Sequence, residues 1–161
     1  MHRTFAAGVA ALLLVVSAAS VAAATAVKVP ADTGWVSTGI SVTAGQTLDV
    51  SSRGYVITAP IPAFLRPGEF KSASGPAGQA TEDTCGVVEA GLPPDVLEIT
   101  GPCILDEAYF GELIGRVGGT TFRIGSSATI TAPATGVLEL GVNDLAFTLA
   151  DNAGTFIVLF P

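Results

Sequence analysis

The amino-acid sequence predicts an all-β protein, an antiparallel β-sandwich of short strands. Three observations carry that expectation. Apolar and polar residues alternate with period two in several short runs, the pattern of half-buried strands. Gly and Pro, at 19 and 10 of 161 residues, punctuate those runs at intervals suited to tight turns. Charged residues make up only 13% of the chain, well below the roughly 25% of an average globular domain, which argues against disorder. The length suits one domain.

Taken in order, Gly39-Ile40-Ser41-Val42 alternates, Thr43-Ala44-Gly45-Gln46 supplies a turn, and Thr47-Leu48-Asp49-Val50-Ser51 alternates again. Gly54-Tyr55-Val56-Ile57 is a further β-prone run. Residues 113–117 lead through Gly118-Gly119 into residues 121–124, a hairpin signal. Thr129-Ile130-Thr131 stops at Ala132-Pro133, residues 137–143 resume the pattern, and residues 155–160 (TFIVLF) form a β-branched and aromatic end. Residues 58–112 are the exception. This stretch carries both cysteines, is rich in proline and has weak periodicity. It is expected to decorate one face of the sandwich, with a short helix near Asp106 to Phe110. A long loop of this kind in a compact domain usually serves function.

Residues 1–24 read as an export signal. His2 and Arg3 give a positive start, residues 5–16 (FAAGVAALLLVV) an apolar run, and Ala22-Ala23-Ala24 or Ala24-Thr25-Ala26 the small-x-small pattern for cleavage after 24 or 26. A membrane anchor is the alternative, but the strongly apolar stretch falls short of the roughly 20 residues that span a bilayer. The domain at 27–161 is then expected to be secreted or periplasmic, without a membrane span. The one histidine of the chain, His2, leaves with the signal. That removes Ser-His-Asp chemistry, a Cys-His pair and a His-ligated zinc site. Loss of Arg3 takes the net charge of −7 one unit further negative. Such a chain lacks the basic surface a nucleic-acid partner demands.

Cys85 and Cys103 are the two cysteines. In an oxidising compartment an even count argues for one disulfide, worth about 3 kcal/mol for a loop this short. Free or metal-binding thiols are the alternative, and two cysteines without histidine make a poor zinc site.

The chemistry-bearing residues cluster between the last two expected strands, in residues 143–154 (NDLAFTLADNAG). Asp144, Asp151 and Asn152 bracket a loop long enough to fold back on itself. Calcium takes about six to eight oxygen ligands, mixing carboxylates, carboxamides and carbonyls such as that of Thr148. The D-x-D-x-D-G spacing of an EF-hand is absent. Read from the residues alone, Asp, Asn and Gly are also ordinary turn formers.

Residues 111–119 (GELIGRVGG), 122–144 (FRIGSSATITAPATGVLELGVND) and 151–158 (DNAGTFIV) resemble the bacterial calcium-dependent galactophilic lectins of the PA-I type. TAGQTLDVSSRGYV and Gly75-Pro76-Ala77-Gly78 extend the likeness more weakly. The motif N-D-x(6)-[DN]-N-x-G-[ST]-F is its most specific part. The resemblance implies a galactose-binding-lectin-like jelly roll, bound Ca2+, a carbohydrate ligand whose vicinal hydroxyls complete the calcium shell, and homo-oligomerisation. Carried over residue by residue, it implies calcium ligation by Asp144, the Thr148 carbonyl, Asp151, the Asn152 carbonyl and a carbonyl near Thr58. Asp151 stands where the family usually has Asn. The family's sugar-contacting His and Gln, shortly after G-P-x-G, align with Glu82 and Cys85. The residues expected to face a sugar are therefore Asp144, Leu145, Asp151, Glu82 and Phe147. Trp35, Tyr55, Phe64 and Tyr109 are further aromatic candidates, although burial is the commoner use of such rings.

Two rival classes stand beside a lectin. One is a calcium-stabilised structural or adhesion module with no sugar site. The other is a small glycosidase, which needs two carboxylates roughly 5–9 Å apart across the scissile bond. Glu82-Asp83 and Asp106-Glu107 are the acidic pairs available, and Lys71-Ser72 lacks any supporting context for nucleophilic catalysis. The sequence reading favours a non-enzymatic protein.

Overall fold

The computed structural model describes residues 24–58, 72–79 and 102–161, with backbone alone at 72–74 and 79. Its strands are β1 (Thr25–Pro30), β2 (Val36–Val42), β3 (Thr47–Thr58), β4 (Ser72–Ser74), β5 (Ala77–Gln79), β6 (Phe110–Val117), β7 (Thr120–Arg123), β8 (Ser127–Thr131), β9 (Gly136–Val142) and β10 (Ala153–Phe160). One 3-10 turn, Leu149–Asp151, precedes β10. The described residues contain no α-helix, and no helix long and apolar enough to cross a membrane.

The strands form two five-stranded sheets. One runs β1-β10-β3-β4, with β8 also on β3; the other runs β2-β9-β6-β5, with β7 on β6. All the pairings are antiparallel. The period-two pattern explains how they meet. In β10, Phe156, Val158 and Phe160 are buried, while the residues between them are partly open. Leu138, Leu140 and Val142 of β9 and Leu113 of β6 join them in one core that spans both sheets. Each such side chain contributes about 1.5–3 kcal/mol by leaving water. This is the all-β antiparallel sandwich the sequence predicts.

The Gly118-Gly119 signal folds as expected. Both glycines take positive φ, 59° and 86°, the conformation a two-residue hairpin turn demands, and β6 pairs with β7 from Val117↔Thr120. Elsewhere the chain differs from expectation. The two short runs at 47–51 and 54–57 are one strand, β3, because Gly54 adopts φ +112° within an unbroken ladder to β10. β1 was not among the expected strands, yet it pairs along its length with β10, from Thr25↔Phe160 to Pro30↔Thr155.

The helix expected near Asp106 to Phe110 is absent, and Phe110 already belongs to β6. Side chains occupy the backbone groups a helix would use. Asn143 Nδ2 takes the carbonyls of Leu105, Ala108 and Tyr109, and the Glu112 carboxylate takes the Tyr109 N–H. Of the 58–112 stretch, residues 58, 72–79 and 102–112 are described, with β4 and β5 among them. These two strands belong to opposite sheets and are joined through Gly75-Pro76, so this short turn crosses the sandwich. The expected signal, Phe64, Lys71, Glu82, Asp83 and Cys85 lie outside the described residues.

Candidate functional site

The loop between β9 and β10 starts with two residues of opposite duty. Asn143 is fully buried and structural. Its Oδ1 accepts from Leu105 N at 2.9 Å while Nδ2 donates to three carbonyls at 3.0–3.2 Å. Its backbone N–H donates to the Glu112 carbonyl and its own carbonyl accepts from Gly111. The side chain thereby stitches residues 105–109 to the start of the loop.

Asp144, also fully buried, presents its carboxylate to the loop itself. Oδ1 accepts from Leu145 N at 2.6 Å and from the Thr148 hydroxyl at 3.3 Å, and Oδ2 accepts from Asn152 Nδ2 at 2.7 Å. Burial pushes its pKa up to about 6; these hydrogen bonds oppose the rise and the nearby Asp151 charge adds to it.

Two members of the expected ligand set, Thr148 and Asn152, contact this carboxylate. Thr148 is buried, and its carbonyl accepts from Asp151 N at 3.1 Å, which leaves a second lone pair on that oxygen. Asn152 is buried, and Nδ2 also reaches the Ala31 carbonyl at 3.3 Å. The ladder between β3 and β10 ends where Ile57 pairs with Ala153, and the next residues of the two segments, Thr58 and Asn152, are both buried. The close approach of the two strands needs Gly154. At φ +96°, a Cβ there would run into the Tyr55 carbonyl and the Val56 backbone. Residues far apart in sequence thus supply oxygens to one end of the sandwich.

The donor chemistry fits calcium better than zinc. No group of three or more His, Cys, Asp or Glu side chains suited to a metal occurs among the described residues. The site offers two carboxylates with neutral carboxamide and carbonyl oxygens, the hard and mixed set that calcium takes. The Oδ1 atoms of Asp151 and Asn152 are buried, and that of Asn152 accepts no hydrogen bond from the described residues. A buried acceptor left in that state costs about 1–3 kcal/mol. A cation would relieve it and compensate the Asp144 charge.

The expected sugar-facing residues are distributed unevenly. Phe147 stands at the loop tip, 61% exposed. Leu145 has its side chain packed with Cys103 and Phe110, and its N–H is held by Asp144, so it offers no free side-chain surface. Trp35 lies against Gly141 with the Arg116 guanidinium 4.4 Å from its ring centroid. Tyr109 carries Arg123 at 4.9 Å in the same way. Both rings are half-buried beneath an arginine, while Tyr55 stands exposed on β3. Asp106 and Glu107 sit on an exposed turn.

Sequence reasoning missed Glu112. It is 2% exposed in β6, with Oε1 accepting from Arg123 Nε and Oε2 from Tyr109 N, both at 2.9 Å. That bond raises the Arg123 pKa above its ordinary value. Ala77 pairs with Glu112, and Pro76 O accepts from Leu113 N at 2.9 Å. A Cβ on Gly78 would collide with Tyr109 and Glu112. Glu112 therefore anchors both the G-P-A-G turn and the start of β6 beside the site. A lone carboxylate inside F-G-E-L-I-G was its signal. Cys103 forms an antiparallel bridge with Leu145, and Ile104 N donates to the Asp144 carbonyl at 3.0 Å. The end of the proline-rich stretch is thus fastened to the candidate site.

Comparison with known proteins places the fold. A solved structure described as the EclA N-terminal domain, a PllA-like lectin, is similar at a TM-score of 0.56 and 21% identity, covering 84% of this chain and 92% of that chain. The likeness is one of fold. No protein-family model and no curated protein matches the chain.

Proposed function

We propose that the protein is an exported, calcium-dependent carbohydrate-binding protein in which a sugar is held through a bound Ca2+. The observation that carries this reading is the convergence of Asp144, Thr148 and Asn152 in one hydrogen-bonded cluster. The lectin fold of the similar structure supports a saccharide as the partner. Asp144 and Asp151 provide the negative charge, and neutral oxygens complete the protein's share of the shell. Bound Ca2+ would supply open coordination positions for vicinal sugar hydroxyls. A bridge from Cys103 to Cys85 would fix residues 103–109 against the loop. Homo-oligomerisation would let weak single sites hold a glycan surface.

A glycan array probed with calcium and with chelator tests the reading. Binding only with calcium supports it. Calcium-dependent stabilisation without any glycan bound would favour the structural module, and sugar release would favour an enzyme.

A further inference from the structure

Phe147 is the feature that the cation site does not use. Among the described residues, the large apolar side chains left exposed are Tyr55, Val137 and Phe147. Tyr55 and Val137 lie within strands; Phe147 lies in the site loop, three residues from Asp144. An exposed phenyl ring on a loose loop would mean little, but this loop is tied. Thr148 N donates to the Leu145 carbonyl at 3.1 Å, closing a turn with Ala146 and Phe147 at its tip. The Thr148 hydroxyl is shared between the Leu145 carbonyl at 3.1 Å and Asp144 Oδ1 at 3.3 Å. Leu145 and Thr148 are buried on either side of the exposed pair. The carboxylate that would bind the cation and the turn that presents Phe147 are therefore one hydrogen-bonded unit. The backbone that presents the exposed ring is already ordered, which leaves less ordering to be done on binding.

We propose that Phe147 is an apolar platform of this site, on which the C–H face of a neutral pyranoside stacks while its hydroxyls engage the cation. The inference rests on the cation-bridged reading above. A saccharide suits the place because one of its faces is polar and another is lined with C–H groups, matching a carboxylate cluster and a phenyl ring side by side. An anionic membrane surface suits it poorly. The chain carries a net charge of −7, and the loop from Asn143 to Asn152 has no Lys or Arg to meet lipid phosphates.

The test uses the calcium-loaded protein with Phe147→Ala and Phe147→Trp. Titration calorimetry is run with methyl pyranosides of galactose, glucose, mannose and fucose, and calcium affinity is measured separately. Phe147→Ala is expected to bind calcium as the wild type does but to bind its preferred glycoside about three- to tenfold more weakly, the usual worth of one aromatic contact. Phe147→Trp is expected to restore that affinity. Equal glycoside affinity in wild type and Phe147→Ala overturns the platform and leaves the cation-bridged reading standing. Absence of glycoside binding in a calcium-loaded wild type overturns both. Calcium-dependent binding to phosphatidylserine vesicles that Phe147→Ala abolishes, with glycoside affinity unchanged, assigns the ring to a lipid surface and also overturns the platform.

Discussion

Asn152 Nδ2 donates to Asp144 Oδ2 at 2.7 Å, joining the two ends of the loop between β9 and β10. Both residues are buried, and the same amide nitrogen also reaches Ala31 behind β1. Among the described residues, the carboxylate is thus held in a low-dielectric place by neutral donors. Hydrogen bonds of this kind compensate only part of the cost of a buried charge. That imbalance raises the Asp144 pKa to about 6, and it makes the loop responsive to protons.

The proton response has a definite sign. Asp144 titrates near 3.8 when unfolded and about 6 when folded, so between these values the folded state binds more protons. Its contribution to stability is complete below pH 4 and is lost as pH rises through 6. The loss amounts to roughly 3 kcal/mol at 1.36 kcal/mol per unit. Urea denaturation in chelator at pH 4.5 and 7.5 should show the wild type losing stability relative to Asp144→Asn across that window. Parallel curves for the two proteins would contradict the account.

Asn143 should matter for stability more than any ligand. Asn143→Ala strands the carbonyls of Leu105, Ala108 and Tyr109 and the N–H of Leu105. Some would find water, so a loss of about 2–4 kcal/mol is expected. Asn143→Asp should not rescue it, since a carboxylate cannot donate to those carbonyls. Chemical denaturation of both variants reads this directly.

The fold was legible in the sequence because strand burial here follows period two, as in the TFIVLF end and the Gly118-Gly119 turn. β1 escaped notice because residues 25–30 (TAVKVP) adjoin the Ala-rich tail of the expected signal and show no long alternation. The helix expected at 106–110 failed for a tertiary reason, since its backbone groups are taken by Asn143 and Glu112 from elsewhere in the fold. At the site, the loop residues were legible from their motif. The role of Glu112 was not, because its partners Tyr109 and Arg123 are brought to it by the fold.

That register bears on processing. Thr25 pairs with Phe160 and Ala26 with Leu159. Cleavage after Ala24 keeps all of β1, whereas cleavage after Ala26 removes both pairs from the ladder. On the proposed export, cleavage is expected to leave Thr25 as the first residue, which intact-mass spectrometry of the culture supernatant would read. A mature chain beginning at Val27 would contradict this.

Calcium binding by the Asp144 loop is to be read by differential scanning fluorimetry. Wild type and Asp144→Ala are each melted in chelator and in excess Ca2+. Calcium at about 100 times its dissociation constant should stabilise the wild type by about 2.7 kcal/mol. That is a rise in Tm of several degrees for a domain of this size, and Asp144→Ala should lose most of it. A wild type whose Tm ignores calcium, or an Asp144→Ala variant with the full shift, would contradict the account.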